Sequence, residues 1–129
     1  IKPHPWRSLK TKGSQRQVPM MGASLWAAQR IRANASSCFA FPRYTDSERC
    51  NANSTSNALN KWLKKVLGDG YVMHSFRHSI HNRLRAVTCP SEMIEQIGGW
   101  SPGKVEEGYG KGYMLFAKML YLRTIPSQA

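Results

Sequence analysis

Four short stretches of this chain hold side chains that could do chemistry together. His74-Ser75-Phe76-Arg77 sets an imidazole three residues before a guanidinium, and Gly98-Gly99-Trp100 puts an indole after a glycine pair. Two tyrosines, Tyr109 and Tyr113, follow in a glycine-containing strip, and the lysines Lys10 and Lys12 lie far upstream. Singly, each has a plainer role: histidine as a helix cap, arginine as a solvated cation, tryptophan as core, tyrosine as surface. Together they suit phosphoryl transfer to a protein nucleophile. A tyrosine phenol can attack a phosphodiester and conserve its energy as a phosphotyrosine that a DNA hydroxyl later reverses, so no nucleotide cofactor and no metal is required. The phenol ionises near pH 10 when unperturbed, so cations around the phosphate must favour both its ionised form and the charge of the transition state. Arg77 presents a planar fork suited to phosphate oxygens. His74 can move a proton or donate to the phosphate, Trp100 can donate one indole N–H, and a lysine can protonate the leaving 5′ oxygen.

These groups must be positioned by elements that the sequence also predicts. Residues 6–20 form two short segments around Gly13-Ser14, closed by Val18-Pro19-Met20, and a glycine-first two-residue turn suits a type II′ hairpin. Alternation then puts Ser8, Lys10 and Lys12 on one face. Residues 23–33 are predicted to be a helix with Leu25, Trp26 and Ile31 as its apolar content, and 35–54 an irregular connection whose Phe39, Phe41 and Tyr44 help close the core. A helix over 56–67 carries the apolar stripe Leu59, Trp62, Leu63, Val66 and Leu67 and ends at Gly68-Asp69-Gly70. In the helix over 75–87, Phe76, Ile80, Leu84 and Val87 face inward while His74, Arg77, His81 and Arg85 form a polar stripe. A short helix over 91–97 stops at Gly98-Gly99, and Ser101-Pro102 supplies a cap and first-turn proline for another. The last helix, 114–123, is apolar on nearly all sides, with only Lys118 and Arg123 polar among Met114, Leu115, Phe116, Met119, Leu120 and Leu122. The fold class is therefore mainly α with a small N-terminal β-hairpin, in a single domain.

Charge sets the partner class. Nineteen Lys and Arg against seven Asp and Glu give a formal charge of +12, which costs self-repulsion unless a polyanion offsets it. Nucleic acid is the default polyanion, because the cations are spread along the chain and no amphipathic stretch gathers them for a membrane surface. Cys38, Cys50 and Cys89 are odd in number and lack C-x-x-C spacing, so neither a disulfide framework nor a zinc site is expected, and a reducing cytoplasm fits. No apolar run reaches membrane-spanning length, and no cleavable leader is expected from the opening residues. The first residue is Ile, and the unstructured opening through Pro5 is expected to continue from a longer protein.

The order and spacing of these motifs resemble the tyrosine recombinase family of phage and mobile-element integrases, from the hairpin to the C-terminus. The family's hairpin reads like K-T-K-x-S-x-R-x-V-P, matched by Lys10-Thr11-Lys12-Gly13-Ser14-Gln15-Arg16-Gln17-Val18-Pro19. Its next signature reads like H-D-L-R-H, matched at the outer and key positions by His74-Ser75-Phe76-Arg77-His78, and its last is G-H or G-W followed by the nucleophile. The resemblance implies that residues 1–129 are part of a catalytic domain that cuts and rejoins double-stranded DNA through a 3′-phosphotyrosine. Its catalytic set would be Tyr109, Arg77, His74, Trp100 and Lys10. Lys12 remains a second candidate for the acid and Tyr113 for the nucleophile. The spacing to Pro19 favours Lys10 and the spacing from Trp100 favours Tyr109. His78 would support by hydrogen bonding, and His81 would be a surface or DNA contact.

One family feature is missing. The first active-site arginine sits on a helix upstream of the hairpin, and no residue here holds that place. The resemblance thus implies a domain truncated on its N-terminal side and inactive alone. It also implies a homo-oligomer, a tetramer on DNA, joined through the helix over 114–123. Two other readings stay open: a basic DNA-binding module without catalysis, and a type IB topoisomerase sharing the mechanism.

Overall fold

The computed structural model describes residues 1–10, 14–100 and 112–126, and among these the chain is mainly helical with no β-sheet. Five helices occur: α1 (Gly22–Ala33), α2 (Ala52–Leu67), α3 (Met73–Ala86), α4 (Ser91–Gly98) and α5 (Leu115–Thr124). Their starts have local causes. At α1 the Ser24 hydroxyl accepts the Met21 N–H at 2.9 Å, and at α3 the Ser75 hydroxyl accepts the Val72 N–H at 3.2 Å. In both, a side chain in the first turn reaches back to a backbone donor that the helix itself cannot satisfy. The Asn51 side chain accepts the Ser54 N–H at 3.2 Å and starts α2 about two turns before the apolar stripe begins at Leu59. That cap explains why the helix includes residues 52–54, which the sequence pattern assigned to the preceding connection.

The expected hairpin has no strand among the described residues, and residues 11–13, which include Gly13 of its expected Gly13-Ser14 turn, lie outside them. On one side His4 and Arg7 form an isolated antiparallel bridge with N–H···O distances of 3.0 Å. On the other, Arg16 pairs with the chain start: its N–H donates to the Ile1 carbonyl at 3.0 Å, and the Ile1 amine donates to the Arg16 carbonyl at 2.7 Å. The backbone groups of Ile1 and Arg16 are thus met by each other.

The core is small and lies where α3 and α4 pack together. Leu84, Cys89, Met93, Ile94 and Ile97 are buried, and Val18, Ile80, Val87, Trp100, Tyr113 and the α5 residues Ala117, Tyr121 and Leu122 close around them. Leu63 is the buried residue of α2, and α1 buries none. Two expectations about facing are corrected by this packing. Of the α2 stripe only Leu63 goes inside, since Leu59, Trp62, Val66 and Leu67 are exposed; on α3, Phe76 is exposed at the turn before Ile80. A stripe spans several turns, and each neighbouring helix covers only the turns it crosses. In α5 the helix that reads as apolar all round buries Lys118, at 7% exposure, and leaves Met114, Leu115, Phe116 and Leu120 exposed. None of the described helices is long and apolar enough to cross a membrane.

Candidate nucleic-acid interface

The site is organised by the turn that ends α4. Gly99 adopts the left-handed conformation at φ 66°, and the Gly99 and Trp100 N–H groups both return to the Glu95 carbonyl, at 2.6 and 3.1 Å. That geometry favours glycine and folds the Trp100 ring back over Gly98, where a Cβ would collide with it. The glycine pair is thus required twice, once for the backbone and once for the indole.

Trp100 then receives two side chains from successive turns of α3. The Arg77 guanidinium lies 4.4 Å from the centre of its ring, and the His81 ring meets it edge to face at 5.1 Å. Residues four apart lie on one helix face, which is why both reach the same indole. A stacked guanidinium at this distance contributes about 0.5–2 kcal/mol and keeps its edge N–H groups available. Arg77 also donates to the Gly99 carbonyl, a long contact at 3.4 Å, so the stacking is the firmer restraint.

Arg16 approaches the same turn from the N-terminal segment. Its Nε donates to the Ile97 carbonyl at 2.9 Å and its Nη1 to the Ser14 carbonyl at 2.9 Å. The Ile97 carbonyl belongs to the last turn of α4, where a cation also meets the negative end of the helix dipole. Burial pushes the Arg16 pKa below its ordinary value, and the nearby positive charge of Arg77 pushes the same way. Among the described residues the ion pairs are Asp46 with Arg49 and Lys64 with Asp69, and none of the described carboxylates pairs with Arg16 or Arg77.

The sequence-predicted residues divide accordingly. Arg77 and Trp100 are brought together. His74 is exposed and lies against His78, the rings edge to face at 5.0 Å, without contact to Trp100. His78 therefore has a ring contact with His74 as its observed partner, while His81, assigned to surface or DNA contact, packs on the indole. Lys10 is exposed and forms no hydrogen bond or ion pair among the described residues. Tyr109 and Lys12 lie outside the described residues, as does the rest of 101–111, where Ser101-Pro102 was expected to start a helix. Tyr113, the rival nucleophile, packs partly into the core, and its N–H donates to the Gln96 side chain at 2.9 Å. Arg16 carried no assignment in the sequence beyond its place in the hairpin motif. Its mid-motif position between two glutamines was the available signal, and nothing local distinguishes it from a solvated arginine. No known protein family, curated protein or solved structure matches this chain.

Proposed function

We propose that this chain acts on double-stranded DNA as part of the catalytic domain of a tyrosine recombinase, cutting and rejoining strands for integration or excision of a mobile element. The observation that carries the reading is the meeting of two motifs 22 residues apart in sequence, in which Arg77 of H-x-x-R stacks on Trp100 of G-G-W and reaches Gly99. Both side chains carry N–H donors and meet at the Gly99 turn, in a chain of charge +12. In the proposed reaction the Tyr109 phenolate attacks phosphorus, the 5′ oxygen departs with a proton from Lys10 or Lys12, and a 3′-phosphotyrosine forms. A 5′ hydroxyl then attacks this ester, and the phenol is released. Assembly as a tetramer on DNA through the 114–123 segment, in the cytoplasm of a host cell, completes the proposal. The exposed apolar side chains of α5 supply surface for it.

The contact of His74 with His78 rather than with Arg77 or Trp100 favours a second reading, a module that grips phosphates without chemistry. A suicide DNA substrate separates the two. In the intact protein a denaturation-resistant protein–DNA adduct is expected, abolished by Tyr109→Phe with DNA affinity nearly unchanged. Absence of the adduct in the unaltered protein supports the binding module, and an adduct surviving Tyr109→Phe moves the nucleophile to Tyr113.

A further inference from the structure

Arg16, which the hairpin motif contains without giving it a role, stands beside Arg77. Both touch the backbone of Gly99: Arg77 donates to its carbonyl, and Arg16 Nη1 lies 2.5 Å from where a Gly99 side chain would begin. Two like charges held at one turn without a described carboxylate repel each other. A bound anion turns that cost into attraction. The two side chains are also held in place, Arg16 by the carbonyls of Ile97 and Ser14 and Arg77 by the Trp100 ring, so little side-chain entropy is lost when a ligand arrives. Arg16 spends its Nε and one Nη1 hydrogen on those carbonyls, leaving its Nη2 group without a described partner.

We infer that Arg16 is a phosphate-contacting residue, forming with Arg77 a two-guanidinium clamp at the Gly99 turn for the non-bridging oxygens of a phosphodiester. The inference rests on the nucleic-acid reading of the site but not on cleavage, since the clamp serves a binding module equally well. A purely structural Arg16 would pin the N-terminal segment to the end of α4 and do nothing more.

Inorganic phosphate is the probe, titrated into the 129-residue chain while the Nε–H resonance of Arg77 and the indole N–H of Trp100 are followed by NMR. Saturable shifts are expected for the unaltered chain. Arg16→Met should weaken the phosphate Kd at least tenfold, and Arg16→Lys, which keeps the charge but loses the fork, should fall between. Arg16→Lys also keeps the test decisive where Arg16→Met does not fold. A Kd unchanged in a folded Arg16 variant, or no saturable shift in the unaltered chain, overturns the clamp. Phosphate binding through Arg16 together with no adduct on suicide DNA upholds the clamp and overturns strand cleavage, so the two proposals fail separately.

Discussion

Helices α2 and α4 both carry an apolar stripe, and they fare differently. In α4 Met93, Ile94, Ile97 and Gly98 are all buried within eight residues; in α2, twice as long, only Leu63 is. The short helix lies against α3 with α5 packed on the same cluster, and a glycine turn at its end folds Trp100 back beside it. The long helix meets α3 along part of its length and shows Trp62, Val66 and Leu67 to solvent beside three lysines. Amphipathic patterning makes a face available for burial, but only a neighbour at the right height buries it. The half of the molecule that buries its stripe is also the half that assembles Arg16, Arg77, His81 and Trp100, because a side chain stacks reliably only on a ring that is itself held.

The contrast is broken or sharpened first by truncation. Leu84→Ala should cost about 2–5 kcal/mol in denaturant unfolding, as expected for a fully buried leucine, whereas Trp62→Ala should fall within about 0.5 kcal/mol of the parent. A Trp62 effect as large as that of Leu84 would mean that α2 is covered in solution. Next, on the recombinase reading proposed above, Arg77→Ala should slow DNA cleavage on the order of a hundredfold while weakening DNA binding far less, as for the loss of one transition-state charge partner. Equal losses in rate and affinity would make Arg77 a grip and nothing else.

Lys118 tests the α5 side of the core. Burial pushes its pKa below the ordinary lysine value, so between the folded and unfolded values the unfolded chain binds more protons and stability rises with pH. At neutral pH the lysine is charged in the unfolded chain, and folding bears the cost of desolvating it. Lys118→Met should therefore stabilise by roughly 1 kcal/mol at pH 7, the low end for replacing a buried charge by an apolar side chain. That gain should shrink as pH rises toward 10.5, where the parent loses its proton in both states. A gain independent of pH would assign the effect to packing alone. The smallest effect is expected at Thr88, which holds φ 55° just after α3, a region that costs a β-branched residue energy and a glycine none. Thr88→Gly should raise stability by about 0.5–1 kcal/mol, the relief of strain exceeding the extra entropy of the unfolded glycine. A loss of stability would show that the threonine side chain contributes more than its backbone costs.

By itself the sequence determined the helical character of the chain, the approximate places of all five helices and the stop at Gly98-Gly99, since caps, glycines and apolar periodicity are local signals. It also singled out Arg77 and Trp100, whose meeting follows from an arginine one helical turn before Ile80 and an indole folded back by a glycine turn. Which turns of α2 and α5 are covered was decided only by the tertiary structure. A stripe such as Leu59 to Leu67, or a helix apolar on every side, is compatible with many neighbours, and the depth of Lys118 depends on where α5 crosses the core. The same holds for His81 on the indole and His74 against His78, which sit alike on the polar stripe of α3 and differ only in what lies opposite. Arg16 is the clearest case. Its partners Ile97 and Arg77 are 81 and 61 positions away along the chain, and no periodicity in the sequence connects them; only the packing of the N-terminal segment on the end of α4 brings the two positive charges to one turn.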